Sequence, residues 1–292
     1  NYFSFLSSSF PTDFTDFTDL FCIFALQNEI IVKGMKKKNS MQMMLASMAL
    51  MLMASPAFAQ KFKVAKVERT RILIDRKWDA QPDAEAAKFI APYQHKVDSI
   101  MGPVVGTVAH DMTRHRPESE LSNLLSDILV WGGRQFNEQP VFSVYNMGGI
   151  RADFAKGDIN VGEVSEVAPF ENKICFLTLT GEKVLELFQQ IAHRGGEGVS
   201  HAVRMVITRD GKLKSVTLNG EPIDPAKSYR IATLDYLAEG NDQLVAFKSG
   251  TDVVAPKAKE NNVRYIIMNY LREMKDQGKV VESRIEGRCV VE

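Results

Sequence analysis

The spacing of hydrophobic residues along the chain predicts several helices. Apolar residues recur every three or four positions, as on one face of a helix, at residues 84–101, 117–132, 161–167, 181–191 and 262–274. Pro117, Glu118 and Glu120 are expected in the first turn of the second segment, where acidic groups stabilise the positive end of the helix dipole.

Short runs of β-branched and aromatic residues predict strands, at residues 104–109, 141–145, 173–180, 203–208, 213–218, 229–234 and 280–291. Asp210-Gly211 predicts a hairpin between two of these runs, and the last run is interpreted as one strand or a pair. Residues 194–198 are expected to form a flexible loop. Single strands alternate with helices early and hairpins follow later, so the predicted fold class is α+β (mixed α/β) with a mixed sheet.

The N-terminal residues have the pattern of an export signal. Met35 is followed by three lysines, an apolar run at 41–53, and the small-residue site Ala57-Phe58-Ala59. This order is typical of a secretory signal peptide, and the apolar run is too short to span a membrane. An uncleaved N-terminal anchor helix is the alternative.

These patterns divide the chain into four predicted segments. Residues 1–34 are expected to be upstream translation that is not part of the native protein, and residues 35–59 a signal peptide. Residues 60–102 are expected to form an N-terminal arm with a helix, and residues 103–292 the folded domain. The predicted location is periplasmic or secreted, with no membrane association after signal cleavage.

The charge of the chain argues against one class of ligand, and its cysteines bear on a possible disulfide. The chain has 36 basic and 36 acidic residues, so no net positive field favours binding to nucleic acid. Cys175 and Cys289 follow the predicted signal peptide. Export permits a disulfide between them, and two separate thiols are the alternative.

The histidine pattern does not predict a metal site. None of the five histidines lies in a D-x-H or H-E-x-x-H arrangement. His110, Asp111 and His115 are close in sequence, but this pattern is more typical of a solvated surface. The chain also lacks a G-x-S-x-G motif and a P-loop, so we assign no catalytic residue and no metal ligand.

A candidate binding segment, Asn146 to Arg151, follows the predicted strand at 141–145. Gly148 and Gly149 permit positive φ and close approach of the backbone to a ligand, and their N–H groups can cradle an anion. Arg151 supplies a planar fork suited to phosphate or carboxylate. The alternative is a plain turn with a surface arginine.

Two further segments place aromatic and polar side chains together. In Pro169-Phe170-Glu171-Asn172, an aromatic face and an amide can stack a base and bind its edge. Farther along, Tyr236 can supply a second aromatic face, and Asp242 can accept hydrogen bonds from a ribose diol. The alternatives are a core Phe170 with Asn172 capping a turn, and a buried tyrosine with a turn aspartate.

Together these segments resemble the C-terminal domain of the 5'-nucleotidase family. The resemblance covers about residues 103–290 and rests on four motifs. Residues 118–124 resemble E-S-x-L-G-N-L with Ser122 in place of glycine, and residues 146–151 resemble N-x-G-G-I-R. Residues 169–172 resemble P-F-x-N, and residues 240–242 resemble G-G-D with Asn241 in place of the second glycine.

The resemblance implies a role for each candidate residue. Phe170 and Tyr236 would sandwich a nucleobase, and Asn172 would bind its edge. Arg151 and Asn146, with the Gly148-Gly149 backbone, would hold the phosphate or ribose side. Asp242 would bind the ribose hydroxyls. A further family arginine corresponds to one of Arg114, His115 and Arg116, and the sequence leaves that choice open.

Nothing before residue 103 resembles the N-terminal metallophosphatase domain of the family, and the arm at 60–101 is similar to its interdomain linker. The resemblance therefore implies the nucleotide- or nucleoside-binding half of a split periplasmic 5'-nucleotidase. The chain would bind no cofactor and is expected not to be catalytic alone. The divalent metals would lie on a separately encoded metallophosphatase chain. The alternatives are a stand-alone nucleoside- or nucleotide-binding protein and a structural protein with a decayed site.

Overall fold

The computed structural model describes residues 66–73, 76–77 and 83–292. The chain divides into a unit of residues 1–75 and a unit of residues 76–292. In the first unit, residues 66–73 are exposed and form no helix or strand. The predicted upstream segment at 1–34 and the predicted signal peptide at 35–59 lie outside the described residues, so both stay predictions.

The described part of the second unit contains six α-helices. They are α1 (Ala84–Met101), α2 (Glu120–Gly132), α3 (Val161–Val167), α4 (Gly181–His193), α5 (Asp235–Ala238) and α6 (Val263–Asp276). The predicted helices at 84–101 and 161–167 match to the residue. The short α5 was not predicted, because four residues are too few to show a helical period.

Eleven strands are described in the same unit. They are β1 (Val104–Val108), β2 (Phe142–Tyr145), β3 (Gly157–Asn160), β4 (Ile174–Thr180), β5 (Gly198–Val199), β6 (Val203–Ile207), β7 (Leu213–Leu218), β8 (Glu221–Pro222), β9 (Ser228–Leu234), β10 (Thr251–Val254) and β11 (Cys289–Val291). They form a two-stranded sheet β1-β3, a five-stranded sheet β10-β4-β9-β2-β5 and a four-stranded sheet β11-β6-β7-β8. The mixed α+β fold and the hairpin β6-β7 are thus confirmed.

Helices cover both faces of the five-stranded sheet. The ring of Phe142 in β2 packs against Phe188 of α4, with ring centroids 5.4 Å apart. The next residue, Ser143, donates its hydroxyl to the Ser126 carbonyl of α2 at 2.6 Å. Successive side chains of a strand point to opposite faces, so α4 and α2 lie on opposite sides of this sheet.

The start of α2 differs from the prediction. The helix begins at Glu120, after Ser119 at the N-cap. Ser119 and Ser122 exchange hydrogen bonds between each backbone N–H and the other's hydroxyl, at 3.2 and 3.1 Å. This capping box satisfies the N–H groups at the helix end. Glu118 therefore precedes the helix. Its buried carboxylate binds the backbone of the C-terminal segment instead of stabilising the helix dipole.

The C-terminal segment also differs from the prediction. Only Cys289–Val291 of residues 280–291 forms a strand, and Val281 adds one isolated bridge to Val108. The Glu118 carboxylate accepts hydrogen bonds from the backbone N–H groups of Glu286 (2.7 Å) and Arg288 (2.8 Å). These N–H groups bond to a carboxylate instead of a neighbouring strand, which explains the irregular backbone.

The two cysteines of this unit are separate. Cys175 lies in β4 and Cys289 in β11 of a different sheet, and both are buried free thiols. Burial raises the pKa of the Cys175 thiol to about 11 and that of Cys289 to about 12. Both thiols are therefore protonated near neutral pH and behave as small apolar core residues.

Helix α1 is exposed along its whole length. Four of the apolar residues whose spacing predicted the helix are at least half exposed, namely Ile90, Tyr93, Val97 and Ile100. Asp83 caps the helix by accepting hydrogen bonds from two backbone N–H groups of its first turn. Within the described residues, no helix combines the length and hydrophobicity needed to cross a bilayer.

Candidate functional site

Sheet topology brings the three predicted binding segments to one edge. Strands β2 and β9 run parallel, with Phe142 opposite Ile231, so the segments after them leave at the same end. Strand β4 is antiparallel to β9, with Ile174 opposite Leu234, so the segment before β4 arrives at that end. Ligands commonly bind at such an edge of an α/β sheet.

A cavity of about 280 Å³ lies at this edge. It is lined by the eight predicted binding residues, namely Asn146, Gly148, Gly149, Arg151, Phe170, Asn172, Tyr236 and Asp242. The structure thus brings together every residue of the predicted site. That these residues bind a nucleotide stays a prediction.

Asp242 connects two of the converging segments. Its carboxylate accepts hydrogen bonds from Asn146 Nδ2 at 2.7 Å and from the Tyr236 hydroxyl at 3.2 Å. Partial burial and the Asp242 charge raise the pKa of the Tyr236 phenol, which therefore stays protonated and donates this bond. Asp242 has a φ of 54°, a left-handed conformation that aspartate tolerates better than most residues.

The segment after β2 is tightly constrained. Residues Met147–Gly149 form one turn of 3-10 helix. A Cβ atom added to Gly149 would lie 2.6 Å from Asn146 Oδ1, whereas one added to Gly148 would lie 4.0 Å from its nearest neighbours. Neither glycine has positive φ, so the backbone freedom that glycine permits is not used at these two positions. Glycine is therefore required at 149 for space rather than for backbone conformation.

The predicted backbone cradle for an anion is only half available. Met147 N donates to Glu197 Oε2 at 2.6 Å, and Gly149 N donates to the Asn146 carbonyl at 2.9 Å. Ile150 N is bonded to the Met147 carbonyl. Three of the four N–H groups at residues 147–150 are thus used to shape the turn, and within the described residues only that of Gly148 is left without a partner. Arg151 is the positively charged group that this segment contributes to the cavity.

The two aromatic rings of the cavity are partly exposed. Phe170 is 48% exposed and Tyr236 is 37% exposed, so neither is a buried core residue. The Arg151 guanidinium lies 5.9 Å from the centre of the Phe170 ring. Apolar faces held open to solvent are the feature that a flat aromatic ligand requires.

Asn146 carries an unsatisfied acceptor. Among the residues that the structure describes, its buried Oδ1 atom has no hydrogen-bond partner, while its Nδ2 atom is bonded to Asp242. A buried acceptor without a partner costs about 1–3 kcal/mol. The hydrogen bond from Nδ2 to Asp242 thus fixes the amide in an orientation that leaves its oxygen without a donor.

Sequence reasoning missed the charged network beside the cavity. Glu197 is fully buried, and its carboxylate accepts hydrogen bonds from Met147 N, from Arg194 Nε at 2.6 Å, and from Arg116. Arg194 Nη2 also lies 3.7 Å from Asp242 Oδ2. The segment predicted as a flexible loop at 194–198 is therefore fixed by a buried carboxylate. The sequence feature that could have indicated this network is Glu197 between two glycines, Gly196 and Gly198.

The three candidates for the further family arginine have different surroundings. Arg116 donates to the Gly196 carbonyl at 2.8 Å and to Glu197. Arg114 donates to the Ile150 carbonyl, which ties it to the segment after β2. His115 is exposed. Within the described residues, no group of three or more His, Cys, Asp or Glu residues is arranged to hold a metal ion.

Known proteins are similar to this chain in sequence and in fold. The family described as "5'-nucleotidase, C-terminal domain" matches residues 104–249. Protein UshA of Escherichia coli (strain K12) is 29% identical over 157 residues, which cover 53% of this chain and 28% of UshA. The trifunctional nucleotide phosphoesterase protein YfkN of Bacillus subtilis (strain 168) is 26% identical over 235 residues, covering 74% of this chain and 15% of YfkN.

Solved structures are similar over most of the described unit. The 5'-nucleotidase precursor from Thermus thermophilus has a TM-score of 0.62 and 28% identity, covering 73% of this chain and 44% of that one. The NAD nucleotidase of Haemophilus influenzae shares the fold, with a TM-score of 0.54 at 19% identity. This chain spans less than half the length of each of these relatives.

Proposed function

The chain belongs to the family of 5'-nucleotidase C-terminal domains, and from this premise we propose that it binds the nucleoside part of a nucleotide in the cavity at the sheet edge. One observation carries the proposal. The eight residues to which the family resemblance assigns binding roles line a single cavity. Because they come from segments far apart in sequence, the fold has to bring them together.

The shape of the cavity suits a flat heterocycle. Its volume of about 280 Å³ is just below the range of roughly 300–1,000 Å³ found for sites of drug-sized molecules, which suits a ligand of modest size. Phe170 and Tyr236 would stack on the two faces of the base, and Asn172 would bind its edge. Stacking on an aromatic side chain contributes about 1–3 kcal/mol per base.

The polar groups suit a ribose and a phosphate. An ionised carboxylate accepts about four hydrogen bonds, so Asp242 can bind ribose hydroxyls in addition to its two present donors. Asn146 also lines the cavity and would support the ribose side by holding the Asp242 carboxylate through their hydrogen bond. Arg151, beside the Phe170 ring, would hold the phosphate side of the ligand through its planar fork.

We assign binding, and not bond cleavage, to these residues. Nucleotide hydrolysis requires an activated water, and bound metal ions supply that activation in metallophosphatases. In our proposal the metals belong to a metallophosphatase domain on a separately encoded chain, and this chain presents the nucleotide to it. The pattern at residues 35–59 supports export of the protein, which would place this function in the periplasm or outside the cell.

Calorimetric titration with adenosine, uridine and AMP tests the proposal. We expect the protein to bind at least one of them. Phe170→Ala and Tyr236→Ala should each weaken binding by roughly 5- to 150-fold, because each removes one stacking face worth about 1–3 kcal/mol. Phe89→Ala is the matched control, since Phe89 is 72% exposed on α1 and does not line the cavity.

Two results would contradict the proposal. If the folded protein bound no nucleoside or nucleotide, the nucleotide function would be wrong. If Phe170→Ala and Tyr236→Ala bound as tightly as the unaltered protein, the ligand would lie elsewhere. The alternative of a structural protein with a decayed site would then be favoured.

A further inference from the structure

A second cavity, of about 360 Å³, lies beside the segment that carries Phe170. It is lined by Glu171, Lys173, Lys257, Lys259, Asn262, Arg264 and Tyr265. Phe170 and Asn172 line the first cavity, whereas Glu171 and Lys173 line the second. The two cavities therefore share one short segment of backbone but have no lining residue in common.

The second cavity is strongly basic. Lys173, Lys257, Lys259 and Arg264 face one carboxylate, that of Glu171. The ion pairs formed among the described residues include none of these three lysines, so no carboxylate lies within 4.0 Å of their ammonium groups there. Like charges held close together repel one another, so a bound anion would relieve the repulsion.

Arg264 is positioned to bind an anion without losing its present contacts. Its Nε donates to the Ala168 carbonyl at 3.2 Å, and its Nη2 donates to the Pro169 and Phe170 carbonyls at 2.6 and 3.3 Å. These bonds fix the plane of the guanidinium. Within the described part of the chain, Nη1 forms no hydrogen bond, so its two N–H groups stay available to a ligand.

Helix α6 adds a positive potential at the same place. The helix has 14 residues and begins directly after Asn262, which is buried and lines the cavity. The N-terminal end of a helix carries a partial positive charge that stabilises anions. Three lysines, an immobilised guanidinium and a helix N-terminus therefore act together on one cavity.

We propose that this second cavity binds a phosphate-type dianion, separately from the nucleoside cavity. A compact dianion fits the excess of positive charge, and tetrahedral phosphate oxygens accept hydrogen bonds from ammonium and guanidinium groups together. The site rests on the second cavity alone and does not depend on nucleoside binding in the first. Its ligand is either free phosphate or the phosphate group of a small ester.

Calorimetry at low ionic strength, with the whole protein, tests this proposal. We expect inorganic phosphate to bind, and the double variant Lys257→Glu/Lys259→Glu to weaken that binding at least tenfold. Glycerol 3-phosphate is titrated in parallel. Binding of both probes would indicate a site for phosphate esters, and binding of inorganic phosphate alone a site for the free ion.

Control variants and a phosphate-free ligand distinguish binding in the second cavity from binding in the first. The double variant Lys88→Glu/Lys96→Glu makes the same charge change on exposed α1 and should leave phosphate binding within about twofold. Adenosine, which has no phosphate, should bind equally to the unaltered protein and to Lys257→Glu/Lys259→Glu. If adenosine did not bind at all, the function proposed for the first cavity would fail while this one could still hold.

Three results would overturn the proposal. The first is no phosphate binding by the folded protein at millimolar concentration. The second is unchanged phosphate binding by Lys257→Glu/Lys259→Glu. The third is loss of phosphate binding in Arg151→Ala, because that result would place the phosphate in the first cavity.

Discussion

Gly149 and Gly148 are adjacent in the chain but differ in the space around them. A methyl group at 149 would meet the side chain of Asn146 at 2.6 Å, and one at 148 would meet nothing closer than 4.0 Å. Asn146 in turn is bonded to Asp242. Side-chain size at position 149 thus affects a hydrogen bond that joins two walls of the cavity.

Gly149→Ala is therefore expected to destabilise the protein. Overpacking of this kind costs about 1–3 kcal/mol, which corresponds to a fall of roughly 2–10 °C in melting temperature for a unit of this size. Gly148→Ala is the matched control and should change the melting temperature by less than about 2 °C. Thermal unfolding followed by circular dichroism measures both, and equal effects at the two positions would contradict the steric explanation.

The two substitutions within the family motifs both have a structural function. Ser122 completes the capping box of α2 with Ser119. Asn241 donates from Nδ2 to the Tyr236 carbonyl at 2.8 Å, which ties the loop before Asp242 to α5. These residues stabilise the local backbone near the motifs, so their presence does not favour a decayed site.

At the scale of elements, a single carboxylate joins the start of α2 to the C-terminal segment. Glu118 is buried and accepts hydrogen bonds from Glu286 N, Arg288 N and Asn123 Nδ2. The buried Arg288 side chain forms a bidentate pair with Asp127 of α2 at 2.9 and 2.7 Å. Helix α2 therefore positions the chain that leads into β11.

Removal of this carboxylate should be strongly destabilising. Glu118→Ala leaves several buried donors unpaired, and we expect a loss of about 3–5 kcal/mol in the free energy of unfolding. Glu120→Ala is the control two residues away. Its partly exposed side chain forms no hydrogen bond within the described residues, so the expected loss is below about 1 kcal/mol. Urea denaturation measures both, and a similar small effect of the two variants would contradict the proposed linkage.

Topology explains why the site forms where it does. Each of the three binding segments is adjoined to a strand of the five-stranded sheet, and the strand directions bring all three to one edge. Glu197 then holds the segment after β2 from a position preceding β5. The site is thus built on strand ends whose register is fixed by buried side chains.

At the scale of the whole molecule, the split-enzyme proposal predicts activity in a mixture. The protein alone should release little phosphate from AMP. Addition of a separately purified metallophosphatase domain of this family with divalent metal should raise the rate at least tenfold above the sum of the separate rates. Phosphate release is measured at an AMP concentration near the dissociation constant, and Tyr236→Ala should sharply reduce the increase because the nucleotide is held less tightly.

The result of this mixing experiment distinguishes the split enzyme from a stand-alone binding protein. Nucleoside binding without any rate increase in the mixture would contradict the split enzyme and favour a stand-alone binding protein. A rate increase that persists in Tyr236→Ala would show that the metallophosphatase domain acts without this cavity.

Much of the fold was predictable because its signals are local. The periodicity of residues 84–101 and 161–167 gave both helices to the residue, and Asp210-Gly211 gave the hairpin β6-β7. Predictions failed where a distant partner decides the structure. Residues 282–288 do not form a strand because Glu118 binds their backbone, and no local pattern at 282–288 reveals a carboxylate far away in the chain.

The sequence by itself determined the family, the α+β class and the eight residues that line the candidate cavity, because each motif is a short run whose residue types can be recognised directly. Only the tertiary structure decided that these runs share one cavity, that Glu197 fixes the turn after β2, and that four cations gather beside Phe170. Those pairings join residues far apart in the chain. Their geometry depends on strand order and direction, which local spacing does not specify.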